Sequence, residues 1–315
     1  MIKLNSNIHP LFSATLTENL RRRNIITIVD FVNADPIKLA TFTGLSHTDI
    51  LQVKQHIVKN FGCTKKNAVN LLAIERGHIV PTSVICLDEL LKGGLYSGQL
   101  YELCGPSSSG KTQLCLTIAA NATARLNTVA WYFDTKKDFS KLRYEEILKT
   151  RNLSQKVAED ALQRMKVCYV YSPDELIQAL RQLVTLCKME KNNKSLKERK
   201  LFLVIIDSLP AIIFKVSQHD KETIYELDEL AEICRFLTRE CHAVVITVNL
   251  VTWWNSQDQA GLIKPALGKY WMNVPVMRLL LTRQNGETRR ISVWRDSKLE
   301  ENLSCIVTVN NTGMT

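Results

Sequence analysis

A turn flanked by a strand pattern and a helix pattern constrains the fold of this chain more than any other segment. The apolar stretch Leu100–Cys104 leads into Gly105-Pro-Ser-Ser-Ser-Gly110-Lys111-Thr112, and a helical pattern continues to Ala124. This turn has the spacing G-x-x-x-x-G-K-[ST], which needs a strand before it and a helix after it. A plain glycine turn with a solvent-exposed lysine would not require those flanks. The segment therefore predicts an α/β domain built around this turn.

The chemistry that such a turn supports is phosphate binding. Glycines at 105 and 110 let the backbone curl so that N–H groups point at phosphate oxygens, and the N-terminus of the following helix adds positive potential. Lys111 is predicted to reach the β- and γ-phosphates of a nucleoside triphosphate, and the Thr112 hydroxyl to bind Mg²⁺. The predicted ATP-binding residues are Gly105, Pro106, Ser107, Ser108, Ser109, Gly110, Lys111 and Thr112.

A second Mg²⁺ ligand is predicted at the end of another apolar strand. The run Leu201-Phe-Leu-Val-Ile-Ile leads straight into Asp207. A carboxylate that ends a buried strand can complete the metal shell begun by the hydroxyl of the phosphate loop. An Asp in this position can also start a turn, so its pairing with the loop is what indicates a metal role. We predict ATP and Mg²⁺ as cofactors, with Thr112 and Asp207 as metal ligands.

Strand and helix patterns alternate from residue 82 onward. The candidate strands are Leu100–Cys104, Val129–Phe133, Lys166–Tyr171, Leu201–Ile206, Ala243–Val248, Met277–Thr282 and Arg290–Trp294, and helical patterns lie at 111–125, 141–150, 173–188 and 222–240. Several strands are continuous apolar runs, as in parallel strands that are covered on both faces. This predicts a mainly parallel sheet that finishes in antiparallel strands.

The first sixty residues predict a separate all-helical domain of four short helices. Leu16, Leu20 and Ile25 fall on one face of the first helical pattern. Asp35-Pro36 is predicted to cap and start one helix, and Ser46 to cap the stretch 47–60. The predicted domains are therefore 1–60, a linker at 61–81, and an α/β core at 82–315.

Composition limits the function classes further. The net charge of +10 favours a polyanionic partner, although a generally basic surface explains it equally well. The nine cysteines form no C-x-x-C pair, which indicates a reducing, intracellular compartment and no zinc site. No apolar run approaches the roughly 20 residues of a membrane span, and no secretory signal is expected. The basic stretch 188–200 is predicted to be a solvated loop.

Taken in order, these segments resemble the RecA-type recombinase family, specifically its eukaryotic paralogues that assist homologous recombination. The segments that carry the resemblance are the one around the phosphate loop, Tyr132-Phe-Asp-Thr135, Lys264-Pro-Ala-Leu-Gly-Lys-Tyr-Trp271 and Arg290-Ile-Ser-Val-Trp-Arg-Asp-Ser297. The N-terminal stretch Leu16–Leu51 is most similar to paralogue D. The resemblance implies a RecA-like P-loop ATPase core, a role in DNA repair and a nuclear location.

Family roles transfer to matching positions. Arg143 resembles the arginine that lies over the adenine base, and Asp296-Ser297 the cap over ATP bound by an adjacent subunit. Residues 209–226 and 250–264 correspond to two loops that face DNA in recombinase filaments. The DNA-facing or interface candidates are Trp253, Trp254, Lys264 and Lys269. Indoles can stack on unpaired bases or anchor a protein interface, and both readings stay open.

Two positions depart from the family pattern. Lys136 stands where active recombinases carry the glutamate that activates the attacking water. Val248-Asn249 stands where they carry an Asn-Gln pair, whose glutamine senses the γ-phosphate and couples it to a DNA loop. The two departures imply slow ATP hydrolysis and weak coupling of ATP to DNA.

Three functions are compared. The first is an ATP-binding subunit of a paralogue complex, with weak or absent hydrolysis, that loads or stabilises the recombinase on single-stranded DNA. The second is a DNA-dependent ATPase that forms its own strand-exchange filament, and the third is an unrelated ATPase or kinase. The Lys264–Gly268 segment and the N-terminal domain argue against the third, and Lys136 and Asn249 against the second. The expected partners are other paralogues and single-stranded or branched DNA, reached directly or through the complex, with no membrane.

Overall fold

The computed structural model describes residues 3–6, 8–62, 67–69, 79–126, 128–192, 202–213, 221–256, 259–296, 299 and 303–315. For residues 190–192, 221–223, 253–256 and 259–262 the description covers the backbone alone. The chain divides into two compact units, 1–71 and 72–315. None of the described helices is long and apolar enough to cross a membrane.

Four helices lie within the described residues 8–62 of the first unit, and each begins at a side-chain cap. The helices are α1 (Ala14–Arg21), α2 (Ile28–Asn33), α3 (Pro36–Thr43) and α4 (His47–Phe61). Asp35 accepts a hydrogen bond from the Ile37 N–H, and Ser46 forms a capping box with Asp49. The predicted caps at Asp35 and Ser46 are therefore confirmed.

A small apolar core holds these four helices together. Leu16 and Leu20 are buried on α1, as predicted, whereas Ile25 lies beyond the end of that helix at Arg21 and packs against the same cluster from outside it. Phe12 and Phe31 meet edge to face in this core, with their ring centroids 5.1 Å apart.

The second unit alternates strands and helices. Its strands are β1 (Ile79–Val80), β2 (Leu95–Tyr96), β3 (Leu100–Cys104), β4 (Val129–Asp134), β5 (Met165–Tyr169), β6 (Phe202–Asp207), β7 (Val244–Asn249), β8 (Val251–Ser256), β9 (Gln259–Pro265), β10 (Met277–Arg283), β11 (Thr288–Arg295), β12 (Ser304–Asn310) and β13 (Gly313–Met314). Its helices are α5 (Ile85–Leu90), α6 (Lys111–Arg125), α7 (Lys141–Lys149), α8 (Gln155–Arg164), α9 (Pro173–Asn192), α10 (Leu209–Ile213), α11 (Lys221–Cys241) and α12 (Gly268–Met272).

The main sheet has nine strands in the order β13-β12-β11-β10-β3-β7-β6-β4-β5. Pairing is parallel from β5 across to β10 and antiparallel from β10 to β13. One apolar cluster, containing Leu114 and Tyr144, covers one face, and another, containing Leu176 and Leu230, covers the other. The predicted α/β fold with a mainly parallel sheet is therefore confirmed.

Burial on both faces explains the apolar strand sequences. Residues 203–206 of β6 are each completely buried, as expected for a central parallel strand between two layers of helices. Because parallel strands point the same way, the carboxyl ends of β3, β6 and β4 lie along one edge of the sheet. That edge carries the residues of the candidate site.

Several predicted loops are regular structure. The resemblance implied a loop at residues 250–264, and this prediction is wrong. Over this segment β8 and β9 form an antiparallel hairpin in which Thr252 pairs with Lys264. Its Val, Thr, Trp and Ile residues favour extended backbone. In the 209–226 segment, α10 covers the start and α11 begins at Lys221, while 214–220 lie outside the described residues.

Two other predicted segments are only partly described. The basic stretch 188–200 begins as the last turn of α9, and residues 193–200 lie outside the description. The predicted linker 61–81 contains β1, which pairs with β2, so its end belongs to a small two-stranded sheet. Residues 63–66 and 70–78 of that linker lie outside the described residues.

Candidate phosphate and metal site

The phosphate loop requires glycine at both of its predicted positions. A Cβ atom at Gly105 would lie 2.3 Å from the Leu281 carbonyl oxygen, closer than atoms can approach. Gly110 has φ of 98°, in the left-handed region, and a Cβ there would lie 2.8 Å from the Met314 side chain. The loop therefore closes tightly against β10 and β13, and α6 starts directly after it.

Lys111 folds back over the loop. Its Nζ donates to the carbonyl oxygens of Gly105 and Pro106, at 2.8 and 2.7 Å, and to the Ser109 hydroxyl at 3.3 Å. Burial of the ammonium group, with a further contribution from the positive charge of Lys136, lowers the pKa of Lys111 to about 8. A buried cation held only by neutral oxygens is suited to receive an anion.

Thr112, Asp207 and Tyr132 form one polar cluster, which we call the Asp207 cluster. The Thr112 hydroxyl donates to Asp207 Oδ2 at 2.6 Å, and the Tyr132 hydroxyl donates to the same oxygen at 2.7 Å. Asp207 is almost fully buried. The structure thus brings together the two predicted metal ligands, from the start of α6 and the end of β6.

The oxygen atoms of the Asp207 cluster fit Mg²⁺, which prefers hydroxyl, carboxylate and water oxygens. The adjacent Ser208 hydroxyl is buried with no hydrogen-bond partner in the described part of the chain, so a polar atom there has unused bonding capacity. Burial and the charge of Asp207 raise the pKa of Tyr132 well above its ordinary value, so its hydroxyl stays protonated and donates. Tyr132 was not predicted, although a tyrosine in a buried strand needs a hydroxyl partner.

The tip of β4 lies beside this cluster, because Asp134 pairs with Asp207 in the parallel register. The Asp134 carboxylate accepts the backbone N–H groups of Lys136, Asp138 and Phe139, at 3.0, 3.3 and 2.9 Å. Asp134 is also buried. Its carboxylate therefore shapes the turn that follows β4 and is not free to act as a base.

Arg143 lies next to the first turn of α6. Its Nε donates to Gln113 Oε1 at 3.0 Å, and its Nη1 donates to the Asn311 carbonyl oxygen at 3.2 Å. Nη2 also donates to the Asn310 carbonyl oxygen. The turn between β12 and β13 thus fixes this guanidinium near the phosphate loop. Its predicted contact with adenine stays a prediction.

Asn249 belongs to a second buried cluster, which we call the Glu102 cluster. Its Nδ2 donates to Glu102 Oε1 at 2.8 Å, and its Oδ1 accepts the Leu250 N–H at 2.8 Å. Arg278 Nε donates to the other oxygen of Glu102, and both charged side chains are buried. Asn249 is therefore fully engaged within the sheet. Glu102 and Arg278 were not predicted. Each is a charged residue inside an apolar strand, and that pattern could have indicated a buried ion pair.

Comparison with known proteins bears on both units. The family model described as Rad51 matches residues 76–315, and the model described as RAD51D, N-terminal domain, matches residues 1–58. The chain belongs to the Rad51 family. The predicted resemblance to RecA-type recombinase paralogues is confirmed, and the N-terminal match supports paralogue D.

Individual Rad51-family relatives extend over most of the chain. "DNA repair protein RAD51 homolog 4" of Bos taurus is 28% identical over 297 residues, covering 93% of this chain and 88% of that protein. "DNA repair protein RAD51 homolog 2" of Mus musculus is 27% identical over 341 residues, covering 96% and 95%. The crystal structure of the RadB recombinase matches with a TM-score of 0.61 at 23% identity, covering 75% of this chain and 98% of that one, which supports the fold alone.

The remaining candidates of this Rad51-family chain lie apart from the phosphate loop in sequence. Trp253 and Trp254 lie on β8, and their side chains are outside the description. Lys264 on β9 is exposed, and so is Lys269 on α12, whose ammonium group lies 5.2 Å from the Tyr270 ring centroid. Their contacts with DNA or protein stay predictions.

The predicted ATP cap is described in part. Asp296 accepts the Leu299 N–H at 2.7 Å, and Ser297 lies outside the described residues. Its contact with ATP on an adjacent subunit stays a prediction.

Proposed function

We propose that this Rad51-family chain is an ATP-binding subunit of a complex of recombinase paralogues. In that complex it assists homologous recombination and double-strand-break repair by loading or stabilising the recombinase on single-stranded DNA. The names of its relatives, which are DNA repair proteins, support the general role. The observation that carries the finer proposal is a phosphate loop joined to Asp207 through Thr112, with no unoccupied carboxylate at the tip of β4 among the described residues.

The residues that would hold ATP are those of the loop Gly105–Thr112, with Arg143 as the candidate for the adenine. Thr112 and Asp207 would hold Mg²⁺, which neutralises charge on the phosphates when it is bound. Because Lys111 is buried and its hydrogen bonds among the described residues go to neutral oxygens, a phosphate group would supply an anionic acceptor.

Hydrolysis is expected to be weak or absent. A base or water-positioning residue belongs at the tip of the strand next to the loop. There, Asp134 is occupied by three backbone N–H groups, and the position after Thr135 is a lysine, Lys136, instead of a carboxylate. Asn249 is bonded to Glu102 instead of facing an open site. ATP would therefore act mainly as a ligand, and any turnover would be slow or dependent on DNA.

A ligand that binds the assembled state more tightly than the free chain favours assembly. We infer that ATP stabilises contacts with other paralogues, and that the complex meets single-stranded or branched DNA in the nucleus. The net charge of +10 is consistent with a polyanionic partner.

The test is co-purification of the tagged full-length chain with its partners, comparing the unchanged protein with Lys111→Ala. Loss of the lysine should weaken ATP binding and lower the yield of partner chains. Lys156→Ala is the matched control, because that lysine is exposed on α8, away from the loop. Unchanged ATP affinity in Lys111→Ala would overturn the site. A helical filament that forms without other chains and turns over ATP would instead support the strand-exchange function.

A further inference from the structure

Lys136 directly follows Thr135, which is hydrogen-bonded to Asp207 and Ser208 at the end of β6. Thr135 N–H donates to the Asp207 carbonyl oxygen at 3.0 Å, and the Thr135 hydroxyl donates to the Ser208 carbonyl oxygen at 2.8 Å. Ser208 N–H returns a hydrogen bond to the Thr135 hydroxyl at 2.8 Å. Consecutive Cα atoms are about 3.8 Å apart, so these bonds fix the backbone of Lys136 beside the Asp207 cluster.

Among the residues that the structure describes, the ammonium group of Lys136 has no carboxylate partner. The nearest acidic side chain in sequence, Asp134, is buried and already accepts three backbone N–H groups. No ion pair of Lys136 occurs among the residues that the structure describes, and its side chain is exposed. The charge is therefore available to an external anion.

Lys136 and Lys111 each adjoin a residue that bonds to Asp207. Lys136 follows Thr135, whose N–H donates to the Asp207 carbonyl oxygen at 3.0 Å, and Lys111 precedes Thr112, whose hydroxyl donates to Asp207 Oδ2 at 2.6 Å. Two neighbouring cations repel each other until an anion with several negative charges binds between them. The phosphate loop already supplies the binding geometry for such an anion.

We propose that Lys136 is a second phosphate ligand, which makes the site select the triphosphate over the diphosphate. The proposal rests on the proposed function of ATP binding at Gly105–Thr112. Thr112 and Asp207 would hold Mg²⁺, which would supply charge neutralisation at the terminal phosphates. Lys136 lies on the side of Asp207, because β4 is the neighbour of β6 in the sheet. The terminal phosphate is absent in ADP, so only ATP gains from this lysine.

The neighbouring lysine provides a matched control. Lys137 has the same charge and a similar exposure, but its ammonium group lies 4.9 Å from the Tyr171 ring centroid. Lys136→Gln and Lys137→Gln change the net charge equally and keep a long polar side chain. Lys136→Arg keeps the charge.

The experiment measures dissociation constants of ATP and ADP with Mg²⁺ for the full chain and these three variants, by calorimetry. A charge-assisted hydrogen bond contributes about 1.5–3 kcal/mol, so Lys136→Gln should weaken ATP binding by about tenfold or more. ADP binding should change by less than about twofold, a difference below 0.5 kcal/mol on the same scale. Lys137→Gln should bind both nucleotides as the unchanged chain does, and Lys136→Arg should keep most of the ATP affinity.

Two results would overturn the proposal while leaving the proposed function intact. One is an ATP affinity of Lys136→Gln that equals that of Lys137→Gln. The other is an equal loss of ATP and ADP affinity, which would show a general charge effect and no selectivity. If the unchanged chain binds neither nucleotide, the proposed function fails and this inference fails with it. Thermal unfolding of each variant confirms that all are folded.

Discussion

Two buried carboxylates in this protein lie on parallel strands of one sheet and have different partners. In the Asp207 cluster, the donors to the carboxylate are the neutral hydroxyls of Thr112 and Tyr132. None of these donors carries a positive charge, so the proposed role of this carboxylate is to accept a cation. In the Glu102 cluster, the Arg278 guanidinium donates to one carboxylate oxygen and balances the charge, and the Asn249 amide donates to the other oxygen.

The difference shows that the partners of a buried carboxylate decide whether it binds a ligand or supports the fold. A buried charge is tolerated when it is paired and hydrogen-bonded. Glu102 is paired with Arg278 and hydrogen-bonded to Asn249. Asp207 is hydrogen-bonded to two neutral hydroxyls and has no such cationic donor among the described residues. Changes to the Glu102 cluster should therefore alter stability, and changes to the Asp207 cluster should alter ligand affinity.

The largest effect is expected from Arg278→Met, which leaves Glu102 buried without a balancing charge. Breaking such a pair costs about 3–5 kcal/mol of unfolding free energy, measured by urea denaturation. The double change Glu102→Gln with Arg278→Met should recover much of that loss. The exposed pair of Arg235 and Glu232 is the control, because Glu232→Ala should cost at most about 1 kcal/mol. A similar cost for both would contradict a buried ion pair.

The next largest effect is expected from Asp207→Asn, which removes the charge of the Asp207 cluster but keeps its shape. Changes in the shell of a metal site weaken metal affinity by about 10–100-fold, so ATP affinity in the presence of Mg²⁺ should fall over that range. The same titration with EDTA is the control and should show little change. An equal fall without Mg²⁺ would argue against a metal role.

Asn249→Ala tests whether the amide serves the fold or the nucleotide. It leaves one oxygen of Glu102 without its donor, which costs about 1–3 kcal/mol of unfolding free energy. ATP affinity should stay unchanged, because Asn249 bonds to Glu102 and to the backbone of the next residue. Reduced ATP affinity at unchanged stability would mean that the amide contacts the nucleotide.

The smallest effect is expected from Lys136→Glu, which places a carboxylate at the tip of β4. Turnover of ATP at saturating concentration should rise, by less than the roughly hundredfold that a well-positioned base contributes. Single-turnover measurements separate this rate from weaker binding. Lys137→Glu should leave the rate unchanged. Rapid ATP hydrolysis by the unchanged protein would contradict the expectation that Lys136 leaves the site without a base.

Sequence reasoning succeeded where the signal is local. The phosphate loop, its flanking strand and helix, and the caps at Asp35 and Ser46 depend on residues within a few positions of each other. The approach of Asp207 to Thr112 was predicted from the pairing of the phosphate loop with an aspartate that ends a buried apolar strand. Their separation of 95 residues therefore did not prevent its prediction.

Features that depend on which strands are neighbours could not be predicted in the same way. Glu102 is 147 residues from Asn249 and 176 residues from Arg278. Only the placement of β3 between β7 and β10 brings these side chains together. The hairpin of β8 and β9 was missed for another reason, since its position was taken from a loop in relatives although its residues favour strands.

Some of the residues that pack against the phosphate loop are synthesised much later than the loop itself. Met314 lies against Gly110, and its N–H bonds to the Thr117 hydroxyl, 197 residues away in the chain. At synthesis rates of about 5–20 residues per second, roughly ten to forty seconds pass between the synthesis of the loop and the synthesis of Met314. The packed form of the loop is thus gained late in translation, and a chain stopped before β13 would carry the phosphate loop without the surface that closes it.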